Sequence, residues 1–75
     1  MGQRLPMLKA LDIMKVLTAL GFHRVRQTGS HIFFQHPDGR VTIVPKHGRE
    51  DIGRGLLRQI LREIDLGSDE FSKYL

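Results

Sequence analysis

The stretch Arg26-Gln27-Thr28-Gly29-Ser30-His31-Ile32-Phe33-Phe34-Gln35-His36-Pro37-Asp38-Gly39-Arg40-Val41-Thr42-Ile43-Val44-Pro45-Lys46-His47 decides the fold. It reads as the end of one strand, a glycine turn, a full strand, a proline–glycine turn and a further strand. Residues 31–36 carry two adjacent aromatics and an isoleucine, the side chains that suit a pleated, half-buried surface. Alternation sends His31, Phe33 and Gln35 to one face and Ile32, Phe34 and His36 to the other. Gly29-Ser30 supplies a tight connection, because glycine enters positive φ without steric cost. In Pro37-Asp38-Gly39 proline presets φ, aspartate caps its own turn and glycine takes the left-handed position. Residues 40–45 then form a strand with Val41 and Ile43 on one face. Upstream, residues 23–28 alternate in polarity, with Phe22 and Val25 as apolar anchors. Connections this short give an antiparallel meander.

Outward from the meander the period changes from two to 3.6. Over residues 10–20, Asp12, Lys15 and Thr18 form a narrow polar face, while Ala10, Ile13, Leu17 and Leu20, widened by Met14 and Val16, form the apolar stripe. Gly21 follows, where a left-handed C-cap is expected. Residues 46–53 read as a basic, glycine-containing loop. A second helix is predicted over residues 54–65, with Leu56, Leu57, Ile60, Leu61 and Ile64 on one side and Arg54, Arg58 and Arg62 on the other. Ser68-Asp69-Glu70 suits a helix start, so a short third helix is expected over residues 68–74, docked by Phe71, Tyr74 and Leu75. Residues 1–8 read as an N-terminal arm. The order is α-β-β-β-α with a terminal helical segment. Two helices with one apolar stripe each, over a sheet with one apolar face, make a two-layer α+β fold with the other sheet face open. The expected core is Ile13, Leu17, Leu20, Phe34, Ile43, Leu57 and Ile60.

At 75 residues one domain is expected over 1–75. There is no cysteine, which excludes a disulfide framework and a thiolate zinc site. No apolar run approaches the roughly 20 residues of a membrane helix and no signal peptide is recognisable, so no membrane partner and a cytoplasmic location are expected. Twelve Lys and Arg face eight Asp and Glu, a formal charge of +4. Residues 22–49 hold Arg24, Arg26, Arg40, Lys46 and Arg49 against Asp38 alone, so this segment accounts for the whole excess. It also contains all four histidines, His23, His31, His36 and His47. A basic, histidine-bearing sheet points to a polyanion, nucleic acid first and a phosphorylated small molecule second.

The residues Leu20-Gly21-Phe22, Val25 through His31 with its Gly29-Ser30-His31 run, His36-Pro37-Asp38-Gly39-Arg40, Val44-Pro45 and His47 resemble HicA-type mRNA interferase toxins. The stretch Ile52 to Leu61 resembles that family's second helix, and the likeness spans about residues 9–66. It implies a double-stranded-RNA-binding-domain-like α-β-β-β-α fold. It further implies ribosome-independent RNA cleavage without a metal, restrained by a HicB-type antitoxin. The family's catalytic histidine, last in its Gly-Ser-His motif, falls on His31. The chain departs from the family at Lys9-Ala10, where a small hydroxyl residue or glycine usually opens the first helix. It departs again at Gly53 and Gly55, where one glycine and a threonine are common.

RNA carries its own nucleophile in the ribose 2′-hydroxyl. A single base of near-neutral pKa can take that proton, or protonate the leaving 5′-oxygen, with no cofactor. His31 is therefore the candidate catalytic residue, against the plainer reading of a strand histidine placed after a turn. Gly29 is the structural turn residue, and Ser30 orients the imidazole or donates to phosphate. Arg24, Arg26, Ser30, Arg40, Lys46, His47 and Arg49 are the candidate RNA-binding residues, each with a solvated sheet edge as its alternative. Arg26 leads them because it lies close before the turn. His36 precedes a turn on the Phe34 face and reads as structural. The four histidines match no metal-ligand spacing, and His31 and His36 fall on opposite faces, so no metal site is expected. Phe33 shares the His31 face and there stacks a base, anchors a partner or packs at the rim. A different class of function stays open: a non-catalytic RNA-binding module of the same fold, using the basic sheet without chemistry.

Overall fold

The structure, a computed structural model, describes residues 7–46, 48 and 51–75. His47 and Arg49, two of the candidate RNA contacts, and most of the N-terminal arm lie outside the described residues.

The described elements are β1 (Leu8–Lys9), α1 (Ala10–Ala19), β2 (His23–Thr28), β3 (His31–Gln35), β4 (Val41–Pro45), β5 (Asp51–Ile52), α2 (Arg54–Glu63) and α3 (Ser68–Ser72). Strands β2, β3 and β4 form an antiparallel sheet in that spatial order. The fold is α+β, with α1 and α2 over the face of that sheet that carries Ile32, Phe34 and Val44. Helix ends fall within two residues of the periodicity-based expectation, inside the fraying range of any helix terminus. Among the described residues no helix is long and apolar enough to cross a membrane.

Helix α1 starts without a hydroxyl cap. Instead the backbone N–H of Lys9 donates to Asp12 Oδ2 at 3.0 Å, the acidic half of a capping box. It ends at Gly21, whose φ of +99° is the left-handed C-cap conformation. A Cβ there would also stand 3.1 Å from His36 Nε2, so Gly21 is fixed twice, by backbone and by space. Ile13, Val16 and Leu17 of α1 are buried with Leu57, Ile60, Leu61 and Ile64 of the α2 region and with Phe22. Leu20, expected in the core, is only partly buried at its rim.

Three expectations are corrected. Val25 is not an anchor: the β2–β3 register shifts between Arg24 and Arg26, so Val25 is the extra residue of a bulge and is 54% exposed. Ile43 is not core. Ile32 pairs with Val44 and Phe34 with Thr42, so Thr42 and Val44 share the buried face while Val41 and Ile43 lie on the open one. Hydrophobicity alone favours Val41 and Ile43 for the interior, but cross-strand register decides the face. The buried Thr42 hydroxyl is satisfied by donating to Glu63 Oε1 at 2.7 Å, which ties β4 to α2. Finally, Leu8 and residues 51–52 are neither arm nor loop. Leu8 pairs with Ile52 and Lys9 with Asp51 in a two-stranded ribbon, both leucine and isoleucine are buried, and Lys9 Nζ meets Asp51 Oδ1 at 2.6 Å. Two-residue strands are too short to leave a periodic signature.

Beyond α2, Leu66 N–H donates to Leu61 O, and Asp65 takes a positive φ of 56° to turn the chain. Phe71 of α3 is fully buried, whereas Tyr74 and Leu75, expected to help dock it, are about half exposed.

Candidate active site on the open sheet face

Glycine chemistry builds the site first. Thr28 pairs with His31, which leaves Gly29 and Ser30 as a two-residue hairpin loop. Gly29 has φ +59° and Ser30 is not in the left-handed region, the arrangement of a type II′ turn with glycine at its first central position. A Cβ on Gly29 would meet nothing within 4 Å, so backbone conformation rather than space selects glycine there. The loop is pinned from the far side: the Lys46 N–H donates to Ser30 O at 2.7 Å. That bond brings Lys46 beside the turn although it lies 16 residues on in sequence.

His31 is the first residue of β3, exposed on the open face, with Thr28 opposite on β2 and Pro45 opposite on β4. Two residues along the same face is Phe33, paired with Arg26 on one side and Ile43 on the other. The Arg26 guanidinium lies over the Phe33 ring, 4.4 Å from its centroid. This cation–π contact holds a charge that is otherwise free to wander. It also decides what the face presents: a guanidinium plane above an aromatic ring. Arg26 and His31 are diagonal neighbours across the β2–β3 pair, about 7–8 Å apart for such positions. The open face therefore gathers His31, Arg26, Phe33 and the turn of Gly29 and Ser30, with Lys46 at its edge.

Two predicted contacts go elsewhere. Arg24 pairs with Phe34 and so faces the helix side; it donates to Gln27 Oε1 at 2.8 Å and borders a cleft with Leu11, Met14, Lys15 and Thr18. Gln27 in turn donates to Gly29 O at 2.9 Å, so this pair braces the hairpin loop from behind. Arg40 is a structural clamp. Its Nε donates to both Asp38 carboxylate oxygens, its NH1 donates to Ile64 O at the end of α2, and its guanidinium lies 5.1 Å from the Phe22 ring centroid. The carboxyl of Asp38 is held below its ordinary range, first by the Arg40 side chain and then by the Arg40 backbone N–H.

His36 belongs to that clamp. Its Nδ1 accepts the Asp38 N–H at 3.1 Å and its ring stands edge-on to Phe22, centroids 5.0 Å apart. The structural reading of His36 is thus the one its contacts support. Among the described residues no group of three His, Cys, Asp or Glu side chains is placed to hold a metal ion. Periodicity missed the apolar floor of the open face, Val41 and Ile43, and the signal that finds it is the pairing of Ile32 with Val44.

No curated protein matches the chain. Residues 11–66, three quarters of the sequence, match the family described as the HicA toxin of bacterial toxin–antitoxin systems. That span runs from α1 to just past α2 and includes every element of the open face. With its antiparallel sheet, flanking helices and this match, the chain belongs to the HicA toxin family.

Proposed function

We propose that this chain is an mRNA interferase, a metal-independent endoribonuclease whose general acid or base is His31. One observation carries the reading. An exposed histidine stands at the mouth of a rigid glycine turn, on a face that also presents a stacked arginine, with a lysine at its margin. The ribose 2′-oxygen attacks the adjacent phosphorus, the P–O5′ bond breaks, and a 2′,3′-cyclic phosphate and a 5′-hydroxyl result. Neutral His31 takes the 2′-hydroxyl proton, or protonated His31 gives one to the departing 5′-oxygen; water serves the other end. Arg26 and Lys46 stabilise the charge that builds on the phosphorane oxygens. The guanidinium–ring stack at Arg26 and Phe33 offers a flat surface for an unpaired base. Such a substrate places the toxin in the cytoplasm, and the family's antitoxin partner is here of the HicB type.

The test uses a long single-stranded RNA, a chelator, and wild-type and His31→Ala protein. Wild type cuts RNA to cyclic-phosphate ends and leaves the matching DNA intact, since DNA lacks the attacking hydroxyl. Cleavage that requires added metal, or equal cleavage by both proteins, removes His31 from the mechanism. RNA retained by both without cleavage makes the chain a binding module.

A further inference from the structure

The two edges of the sheet are unlike. Strand β2 is an edge protected in the usual ways: it is bulged at Val25, and it carries Arg24 and Arg26. Strand β4 has none of these protections along most of its length. Its hydrogen bonds to β3 can be assigned by parity. Lys46 N–H donates to Ser30 O and His36 N–H to Arg40 O, and the register between them is unbroken. Hydrogen-bonded pairs alternate in an antiparallel ladder, so Thr42 and Val44 spend their backbone groups on β3. The N–H and C=O of Val41 and Ile43, and the C=O of Pro45, face outward. Both side chains there are apolar and exposed, Val41 at 57% and Ile43 at 40%. A flat apolar edge of this kind is a template for a further strand.

We infer that the outer edge of β4 is a strand-addition site, and that its occupant is an extended acidic segment of the antitoxin. A second copy of this chain fits poorly. Two copies related by a two-fold axis at Ile43 would place Val41 opposite Pro45, which has no N–H, so two of the bonds would be missing. The same register sets Lys46 of each copy beside Arg40 of the other. A heterologous strand meets Pro45 once rather than twice, so one bond is missing instead of two, and it need not set a cation beside Arg40 or Lys46. The charge it needs follows from the rim: Lys46 is exposed at one end with no ion pair among the described residues, and the molecule carries +4. Strand addition there also extends the sheet alongside His31, which pairs with Pro45 of β4.

The inference rests on the toxin–antitoxin reading but not on nuclease activity, because its readout is amide chemical shift. The probes are capped peptides of about eight residues in which valine alternates with glutamate, or with lysine. The glutamate peptide is expected to shift the Val41 and Ile43 amides and leave those of Val25 and Gln27 in place. Ile43→Pro removes an outward donor without touching the β3 ladder, and should weaken binding about tenfold or more. Lys46→Glu keeps the edge intact, and should transfer the preference to the lysine peptide. If Ile43→Pro unfolds, Lys46→Glu alone decides. Shifts at Val25 and Gln27 instead, no shifts with either peptide, or Val41 and Ile43 shifts that grow with protein concentration and without peptide, overturn the inference; the last assigns the edge to a second copy.

Discussion

His31 and His36 bracket one strand, and the structure puts them in opposite settings. His31 opens β3 on the bare face, beside a turn whose backbone is fixed by Gly29 and by the bond from Lys46 to Ser30. His36 follows β3 on the helix side, where Asp38, Phe22 and Gly21 surround it and Arg40 shares its partners. An odd number of residues separates their side-chain directions. That alone turns one imidazole toward the open face, and the other into a clamp between a turn and a helix end. The difference shows that a histidine's identity says little about its role. Which pleat it occupies says more.

The sharpest way to break this comparison is to remove each ring in turn. His31→Ala should lower RNA cleavage by about 10²- to 10⁴-fold, the usual worth of a positioned acid or base, while the unfolding midpoint stays close to wild type. His36→Ala should do the reverse. It loses a hydrogen bond and an edge-on aromatic contact, together about 1–2 kcal/mol of stability, and should cleave within a few-fold of wild type when folded. Parallel denaturation and initial-rate measurements decide it. A large rate loss in His36→Ala at full folding would erase the distinction.

A second test sharpens the same contrast of faces one strand over. Val44→Thr buries a hydroxyl where Val44 is fully covered, and should cost about 1–3 kcal/mol. Ile43→Thr, one residue away on the open face, should change stability by about 0.5 kcal/mol or less. Equal costs in urea unfolding would mean that β4 is not registered as Ile32 to Val44.

How much of this was legible beforehand follows from the kind of signal each feature leaves. The two long helices announce themselves through stripes such as Ile13 with Leu17 and Leu57 with Ile60, and the hairpins through Gly29 and Gly39, because these are local patterns. His31 and the basic residues around it stood out for the same reason. The face assignment of β4 is not local: hydrophobicity along Val41-Thr42-Ile43-Val44 favours the phase that lies on the open face, and only the pairing of Ile32 with Val44 settles it. The β1–β5 ribbon joins residues more than 40 apart through two-residue strands, below any periodic threshold. Arg40 looked like a phosphate ligand because its charge is local information, whereas its partners, Ile64 O and Phe22, come from distant segments.

The smallest expected effect concerns the clamp itself and its response to acid. In the folded protein Asp38 titrates below its ordinary value of 3.8, chiefly because Arg40 donates to its carboxylate. A carboxyl whose folded pKa is depressed adds stability above its unfolded pKa and loses it as pH falls through the folded value. The contribution of Asp38 is therefore fully present from about pH 5 upward and disappears below 3.8. The His36 ring, with Nδ1 3.1 Å from Asp38 Oδ1, acts on the carboxyl in the same direction as Arg40. Asp38 is exposed, so solvent screens its pairing with Arg40 and keeps the effect small. Asp38→Asn preserves an acceptor for the turn but removes the charge. Its melting temperature should lie slightly below wild type at pH 7, and the gap should close as both are brought to pH 3. A gap that persists or widens in acid would show that Asp38 acts through turn geometry alone, with Arg40 held by Ile64 and Phe22.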